Sequence, residues 1–284
     1  MLQVFNSVKE INNFANLQKQ QGKKIGFVPT MGYLHEGHIS LVKASKEMCD
    51  ITVVSIFVNP TQFSPNEDLS KYPRDFKRDE KMLSENGVDA IFYPAVDEIY
   101  PDGFETYVNL DKISLKHEGE FRPTHFKGVA TVVTILFNAV NPDYAFFGRK
   151  DAQQAALIEK MVSDLKFNIK VIICPTVREH DGLAMSSRNS YLNPQERKDA
   201  LVLKSSLNIA EELIKTGETN TVFIIESMKR VIDSVTTSKL DYIKIVDAVS
   251  FNEIPRIEKG NRFYILIACR IGKTRLIDNT LIRA

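Results

Sequence analysis

The chain has 284 residues, with 37 Lys and Arg against 36 Asp and Glu, so its formal net charge is +1. This length predicts one large domain or two modest ones, and the charge balance argues against a protein held to nucleic acid by charge alone. No signal peptide and no apolar stretch long enough to cross a bilayer is evident, and the three cysteines lack metal-ligand spacing. We therefore expect a cytoplasmic globular protein with reduced thiols and no membrane partner.

Strand and helix patterns alternate along the first two-thirds of the chain. Ser7 to Glu10 fits a capping box, which predicts a helix to about Gln21. The β-branched run 51–58 predicts a strand covered on both faces. Further strands are predicted at 24–29, 89–93, 144–147 and 169–174, and further helices at 37–48, 74–86, 126–139 and 152–165. Strands separated by helices indicate right-handed crossovers and an α/β fold with a Rossmann-like, doubly wound parallel sheet.

The pattern changes near Pro175. Helices predicted at 194–215 and 221–235 precede strands predicted at 240–247, 262–270 and 274–282. Strands grouped after helices favour a separate α+β unit. The sequence therefore predicts a Rossmann-like domain over residues 1–176 and a smaller C-terminal α+β domain over residues 177–284.

Two histidines stand in the loop PTMGYLHEGH, which runs from Pro29 to His38 between a predicted strand and its helix. In an open parallel sheet such a loop lies at the carboxyl ends of the strands, where ligands bind. Its glycines allow close backbone approach, and a helix N-terminus favours phosphate. Imidazolium groups at His35 and His38 would stabilise negative charge developing on a phosphoryl group. The alternative is a turn with incidental histidines, but two of the chain's five histidines beside two glycines favour function.

Two more loops carry groups suited to phosphate. The segment GRKD (148–151) offers the compact cation Lys150, although Asp151 as a helix cap beside a solvated lysine is an equal alternative. The segment MSSR (185–188) offers hydroxyls and a guanidinium. Taken alone, a polar loop between domains is the better interpretation of the second segment.

Two shorter segments are more ambiguous. In NPTQF (59–63), Gln62 is suited to a small polar substrate, but the residues alone favour a turn built on Asn-Pro. In RPTHF (122–126), Arg122 and His125 fit substrate or dimer contacts as well as they fit a helix start with a solvated arginine.

Together these segments resemble the pantothenate synthetases, also called pantoate–β-alanine ligases, of the nucleotidylyl-transferase superfamily. The blocks PTMGYLHEGH, VSIFVNPTQF, YPR, RPTHF, FGRKDAQQ and PTVREHDGLAMSSRNSYL follow the family's order between residues 26 and 192. The resemblance implies that ATP activates pantoate as pantoyl adenylate with release of pyrophosphate, and that β-alanine then displaces AMP to give pantothenate. It also implies Mg²⁺ with the nucleotide and a homodimer.

The resemblance implies roles for individual residues. His38, His35 and Lys150 are expected to be catalytic, with His38 as proton donor toward pyrophosphate. Gln62 and Gln154 are expected to bind pantoate, with Gln62 also near β-alanine. The expected ATP-binding residues are Met31, Gly32, Tyr33, Leu34, His35, Glu36, Gly37, His38, Gly148, Arg149, Lys150, Asp151, Val177, Met185, Ser186, Ser187 and Arg188.

Three positions need separate comment. Asp79 matches an acidic family position near magnesium, but the sequence assigns no metal ligands. Arg149 stands where the family more often has Gln or Glu. Tyr33 stands where alanine is common in the family. Neither change removes a group that the two-step chemistry requires.

An acyl adenylate hydrolyses readily, so the intermediate must be shielded from water. We therefore expect the C-terminal domain to act as a lid, with the segment 181–188 at its hinge. Two other functions compete with this interpretation: a nucleotidylyltransferase that passes AMP or CMP to a phosphorylated acceptor, and a non-catalytic RNA-binding or nucleotide-sensing module. The first would leave a stable nucleotide conjugate, and the near-zero net charge argues against the second.

Overall fold

The computed structural model describes residues 2–65 and 67–284. The described residues form two compact units. The first is drawn from Met1–Leu115, Arg122–Arg149 and Gln154–Pro175, and the second from Lys116–Phe121, Lys150–Gln153 and Thr176–Ala284. Two short segments that precede residue 176 thus belong to the second unit.

The elements are numbered in chain order. The strands are β1 (Gln3–Phe5), β2 (Ile25–Thr30), β3 (Ile51–Ile56), β4 (Ala90–Phe92), β5 (Tyr144–Gly148), β6 (Lys170–Cys174), β7 (Ser238–Asp247), β8 (Arg262–Ile271) and β9 (Thr274–Arg283). The α-helices are α1 (Val8–Gln20), α2 (Glu36–Met48), α3 (Phe76–Glu85), α4 (Val96–Ile99), α5 (Glu118–Phe121), α6 (His125–Val140), α7 (Ala152–Asp164), α8 (Pro194–Asp199), α9 (Val202–Lys215) and α10 (Thr221–Asp233).

The first unit is built on one parallel sheet in the strand order β1-β4-β3-β2-β5-β6. The order reverses between β2 and β5, and this switch point is where open α/β sheets bind their ligands. Alternate residues of β2 and β3 enter different cores: Phe27 and Val53 face one, and Val28 and Val54 face the other. Burial of both faces explains the nearly continuous apolar run of β3. The predicted Rossmann-like sheet is confirmed.

The second unit contains the antiparallel sheet β7-β8-β9, whose core side chains pack with those of α9 and α10. The predicted α+β character is therefore confirmed. The prediction of one helix over 194–215 is wrong, because the structure has α8 and α9 there. Between them the backbone tightens to i→i+3 bonds, with the Leu201 N–H donating to Lys198 O and the Leu203 N–H donating to Ala200 O.

The three cysteines, Cys49, Cys174 and Cys269, are all free thiols. Burial raises the pKa of the Cys49 and Cys269 thiols to about 11, so both are protonated at neutral pH. Among the residues described, no helix combines the length and the apolar character needed to cross a bilayer.

Candidate active site

The loop between β2 and α2 leaves the sheet beside its switch point. Gly32 has φ +80° and Tyr33 has φ +50°, so two successive residues are left-handed. A Cβ on Gly32 would lie 2.9 Å from the Ile56 side chain and 3.1 Å from the Asp79 carboxylate. Both the conformation and the space at this position therefore require glycine.

His35 and His38 stand together at the start of α2, with ring centroids 4.1 Å apart. His35 Nδ1 accepts the Gly37 N–H at 3.1 Å, and His38 Nδ1 accepts the His35 N–H at 3.2 Å. A neutral imidazole that accepts at Nδ1 carries its proton on Nε2. Both rings are thus set to donate from Nε2, as a proton donor or an anion-binding group must.

Asp79 of α3 holds the loop that precedes these histidines. Its Oδ2 accepts the Tyr33 N–H at 2.7 Å, and its Oδ1 accepts the Leu34 N–H at 2.8 Å. Burial raises the pKa of the Asp79 carboxyl, against the lowering effect of these two hydrogen bonds and of the Arg78 charge. Because the side chain is 1% exposed and both oxygens bind the backbone, it does not fit the magnesium role that the resemblance implies.

In the described part of the chain, no cluster of three or more His, Cys, Asp and Glu side chains is arranged to hold a metal ion. Leu34 is also placed differently from its expected role. Its side chain is fully buried, and its N–H and carbonyl bind Asp79 and Arg78. We therefore treat Leu34 as a structural part of the loop rather than as an ATP contact.

Gln62 is brought directly against the histidine loop. It closes a short 3-10 helix, Pro60–Gln62, and is 7% exposed. Its Nε2 lies 3.0 Å from Met31 Sδ, and its Oε1 accepts the Asn59 Nδ2–H at 3.1 Å. Asn59 also caps the turn through the Thr61 N–H, so the Asn-Pro turn and the buried amide coexist.

Arg122 and His125 support the backbone of Gln62. His125 Nδ1 lies 3.0 Å from the Gln62 carbonyl oxygen, and Arg122 Nη2 lies 3.4 Å from it. Arg122 also forms a two-pronged ion pair with Glu67 at 2.9 and 2.6 Å, and its side chain is 13% exposed. The alternative of a solvated arginine is therefore wrong. The sequence did not indicate Glu67, because its partner Arg122 is 55 positions away in the chain.

A cavity of about 600 Å³ opens within the first unit, and Met31, Gly32 and Tyr33 of the loop line part of it. Its walls carry the carboxylates of Asp75, Asp79, Asp97 and Glu98 but one guanidinium, that of Arg74. A triphosphate would meet net repulsion there. We therefore do not assign the nucleotide to this cavity, although its volume is typical of a ligand pocket.

The end of β5 divides between the two units. Gly148 and Arg149 belong to the first, as does the half-buried Gln154, whereas Lys150 and Asp151 belong to the second. Lys150 Nζ lies 3.8 Å from Asp151 Oδ1, and its side chain is 19% exposed, so the alternative of a fully solvated lysine is wrong.

Lys150 is held in the second unit through its backbone. Its carbonyl oxygen accepts the Asn279 Nδ2–H from β9 at 2.7 Å. The segment that contains Lys150 is therefore fixed to the antiparallel sheet of that unit.

The segment 177–188 of the second unit forms a small hairpin. The Met185 N–H donates to Val177 O at 3.0 Å, which brings together two residues expected to bind ATP. Ser186 then caps a short 3-10 helix, Ser187–Tyr191, by accepting the Arg188 N–H. The hairpin thus presents Ser186, Ser187 and Arg188 in one turn.

Ion pairs hold the first strand and the turn of this hairpin. Arg178 binds both oxygens of Asp278, at 2.7 and 2.9 Å. Arg197 binds Glu179 and Asp181, at 2.6 and 2.9 Å. The first unit therefore holds the histidine loop with Gln62, and the second holds Lys150 and the hydroxyl turn.

Comparison with known proteins places this geometry in a family. The family model for pantoate–β-alanine ligase matches residues 3–281. The pantothenate synthetase of Caldicellulosiruptor bescii is 51% identical over 281 residues, which cover 99% of each chain. A pantothenate synthetase structure from Thermus thermophilus is 41% identical with a TM-score of 0.94, and the match covers 100% of both chains.

A third relative is known with ligands. The pantoate–β-alanine ligase of Francisella tularensis, complexed with beta-gamma ATP and β-alanine, is 36% identical with a TM-score of 0.78 and matches 99% of this chain and 98% of its own. Family model, sequence identity and fold agree over nearly the whole length. The chain therefore belongs to the pantoate–β-alanine ligase family, whose members condense pantoate with β-alanine by forming an amide bond.

Proposed function

We propose that this condensation uses ATP and proceeds through pantoyl adenylate in two steps. In the first step a pantoate carboxylate oxygen attacks the α-phosphorus of ATP, and the bond from that phosphorus to the pyrophosphate oxygen breaks. In the second step the β-alanine nitrogen attacks the pantoyl carbonyl carbon, AMP leaves with the former carboxylate oxygen, and the nitrogen loses a proton. The products are pantothenate, AMP and pyrophosphate.

The first step brings one anion to another, so it needs concentrated donors and positive charge. We assign the proton donor toward pyrophosphate to His38, supported by His35. Their Nδ1 atoms are occupied by backbone N–H groups, which leaves Nε2–H as the donor in each neutral ring. In the second unit, Lys150, Ser186, Ser187 and Arg188 supply the remaining cations and hydroxyl donors in the proposal.

The contact between Gln62 and Met31 carries the proposal. Met31 opens the loop that we assign to the nucleotide, and Gln62 Nε2 lies 3.0 Å from its sulfur. A pantoate held by the amides of Gln62 and Gln154 would thus have its carboxylate beside the α-phosphate. This juxtaposition is what in-line attack requires, since reacting atoms must begin about 3–3.5 Å apart.

The second step requires β-alanine with an uncharged amino group. The β-alanine ammonium has a pKa near that of lysine, about 10, so it must lose a proton before attack. Among the described residues we assign no base to this task. We expect the phosphate oxygens of ATP to hold Mg²⁺, as Mg²⁺ is commonly bound through substrate phosphates, and we assign it no protein ligand.

We also propose a homodimer, which sedimentation of the purified protein tests.

The test follows the oxygen atoms. Purified protein is supplied with ATP, Mg²⁺, β-alanine and pantoate carrying ¹⁸O in its carboxylate, and each substrate is omitted in turn. We expect pyrophosphate release with pantoate alone, and AMP that carries one ¹⁸O when β-alanine is added.

Other product patterns would contradict the proposal. ADP with labelled inorganic phosphate would indicate an acyl phosphate instead of an adenylate. A stable nucleotide conjugate would indicate a nucleotidylyltransferase, and RNA binding without any ATP turnover would indicate a non-catalytic module.

A further inference from the structure

We propose that Arg78 and Asp79 are positioning residues that set the tautomer and orientation of His38 through the peptide bond between Leu34 and His35. The inference rests on the proposed function, because it deepens the role given to His38. Neither residue needs to touch a substrate for this effect.

Asp79 anchors the loop that precedes the two histidines. Asp79 accepts two successive N–H groups, those of Tyr33 and Leu34, at 2.7 and 2.8 Å. Tyr33 is left-handed, with φ +50°, a conformation that is strained for a non-glycine residue and persists where surrounding contacts fix it. The buried carboxylate supplies that fixation, because an ionised acceptor forms stronger hydrogen bonds than a neutral one.

Arg78 holds the carbonyl group of Leu34. Arg78 Nη2 donates to that oxygen at 2.8 Å, and the Arg78 guanidinium lies 5.0 Å from the centroid of the Tyr33 ring. Arg78 itself is fixed at the start of α3, where its N–H donates to Asp75 Oδ1 at 3.1 Å. Neighbouring residues of α3 therefore hold both the N–H and the carbonyl of Leu34.

The Leu34 carbonyl is linked to the His38 ring through the next peptide group. The Leu34 carbonyl and the His35 N–H belong to one planar peptide group, so fixing one fixes the direction of the other. The His35 N–H donates to His38 Nδ1 at 3.2 Å. This bond keeps Nδ1 of neutral His38 unprotonated and its proton on Nε2. A chain of fixed groups thus runs from α3 to the atom that we expect to donate the proton.

The experiment combines kinetics with a spectroscopic signature. Asp79→Asn keeps the shape but places an NH₂ against a backbone donor, and Arg78→Met removes the donor to Leu34. We expect each to lower kcat for pantoate-dependent pyrophosphate release about tenfold to a hundredfold, with a small change in KM for pantoate. Asp79→Glu, which retains the charge, restores part of the loss.

Imidazole ¹⁵N chemical shifts test the mechanism directly. The chain has five histidines, and the His38 resonances are those lost in His38→Ala. We expect the Nε2–H tautomer in the wild type and a mixture of tautomers in Asp79→Asn and Arg78→Met. In a double-mutant cycle, Asp79→Asn should cost little further activity in the His38→Ala background, because residues that act as a unit are not additive.

Asp143→Asn is the matched control. Its Oδ2 also accepts a backbone N–H, that of Ile25 at 2.8 Å, but at the opposite end of β2. We expect it to lower the melting temperature and to leave kcat and the His38 shifts unchanged.

The outcomes separate this inference from the proposed function. An unchanged His38 tautomer with wild-type kcat in both α3 variants, or independent effects in the cycle, would overturn the inference and leave the reaction standing. A wild-type protein without pantoate-dependent pyrophosphate release would overturn both. If Asp79→Asn does not fold, Arg78→Met decides alone, because the Arg78 side chain is 42% exposed and we expect the fold to survive its replacement.

Discussion

Gly128 of α6 packs against Gln62 so closely that a Cβ at position 128 would lie 2.6 Å from the Gln62 backbone nitrogen. The same atom would lie 2.5 Å from the Thr61 carbonyl oxygen. Gly128 O also accepts the Asn59 Nδ2–H at 3.1 Å, and Asn59 in turn binds the Gln62 amide. A glycine in the first turn of α6 therefore sets the position of Gln62, the residue that we propose binds pantoate.

Gly128→Ala should displace the Pro60–Gln62 turn, because backbone atoms cannot move aside as a flexible side chain can. We expect a loss of about 1–3 kcal/mol in the free energy of unfolding, as for other overpacked cores, and weaker pantoate binding. Asn138→Ala, an exposed change on the same helix, should alter neither. Calorimetric titration with pantoate checks the prediction, and unchanged pantoate affinity in Gly128→Ala would contradict it.

Gln62→Ala should weaken pantoate binding while leaving ATP affinity nearly unchanged. The amide Nε2 is the donor that we assign to pantoate, and a lost hydrogen bond to a charged ligand costs about 1.5–3 kcal/mol, roughly tenfold to a hundredfold in Kd. Separate titrations with pantoate and with ATP measure the two affinities. The opposite pattern, with ATP binding lost and pantoate binding kept, would exclude the assignment.

His38→Ala and Lys150→Ala should each slow adenylate formation by about two orders of magnitude or more, as expected for lost electrostatic stabilisation of a transition state. Pyrophosphate release without β-alanine isolates this step. Lys160→Ala, an exposed lysine of α7, is the control and should keep wild-type rates. Near-native release in either active-site variant would remove that residue from the mechanism.

Arg275→Met should destabilise the second unit strongly. The Arg275 guanidinium donates to both oxygens of Glu118, at 2.6 and 3.0 Å, and to Asp241 at 2.7 Å. Burial opposes its charge, but the two carboxylates outweigh that effect and raise the Arg275 pKa. Removing the guanidinium from two buried acids should cost about 3–5 kcal/mol, although Glu118 keeps the Tyr242 hydroxyl and Asp241 keeps Arg270.

The measurement for Arg275→Met is urea unfolding followed by far-ultraviolet circular dichroism, since the chain has no tryptophan. The control is Lys81→Ala, which removes a pair with Glu85 whose side chains are 78% and 63% exposed. We expect that change to cost at most about 1 kcal/mol. Similar unfolding midpoints for the two variants would contradict the prediction.

His117→Asn should flatten the dependence of stability on pH. Burial lowers the pKa of His117, against the hydrogen bond to Phe251 O and the charges of Glu253 and Glu120, while Lys244 acts in the same direction as burial. Above the ordinary histidine pKa of about 6.5, the ring is uncharged in both the folded and the unfolded protein. As the pH falls through that value the unfolded chain binds the proton first, so wild-type stability decreases until the folded state is also protonated.

Asparagine suits this test because His117 has φ +46°, a conformation that Asn tolerates. At about pH 7 the variant should be less stable than the wild type by about 1 kcal/mol, because it lacks the hydrogen bond. This difference in the free energy of unfolding should shrink as the pH falls to about 5. Parallel stability curves for the two proteins would show that His117 does not contribute.

The sheet and the loops at its carboxyl edge were predictable because their signals are local. Ser7 and Glu10 form the predicted capping box, and the alternation of β2 and β3 between two cores follows from apolar runs. The strand β1 was not predicted, since three residues are too few to establish a period. The break between α8 and α9 was missed because no glycine or proline marks it within residues 199–203.

The supports of the candidate site were beyond sequence reasoning. Asp79 is separated from Leu34 by 45 positions, and Arg275 from Glu118 by 157. In the sequence alone, such charged residues are interpreted as exposed to solvent, because their partners are far away in the chain. The motif around Arg122 and His125 left two interpretations open, substrate or dimer contacts and a helix start with a solvated arginine. The contacts with Glu67 and Gln62, which exclude a solvated arginine, join residues far apart in the chain.

The second unit is completed by two stretches, Lys116–Phe121 and Lys150–Gln153, that are translated well before its main body. A gene fragment encoding only residues 176–284 would lack Glu118, the acid that Arg275 binds, and the carbonyl of Lys150 that Asn279 binds. A fragment ending at Pro175 would carry both stretches without the sheet that receives them. A single cut near residue 175 therefore cannot divide the gene into two parts that each encode one complete unit.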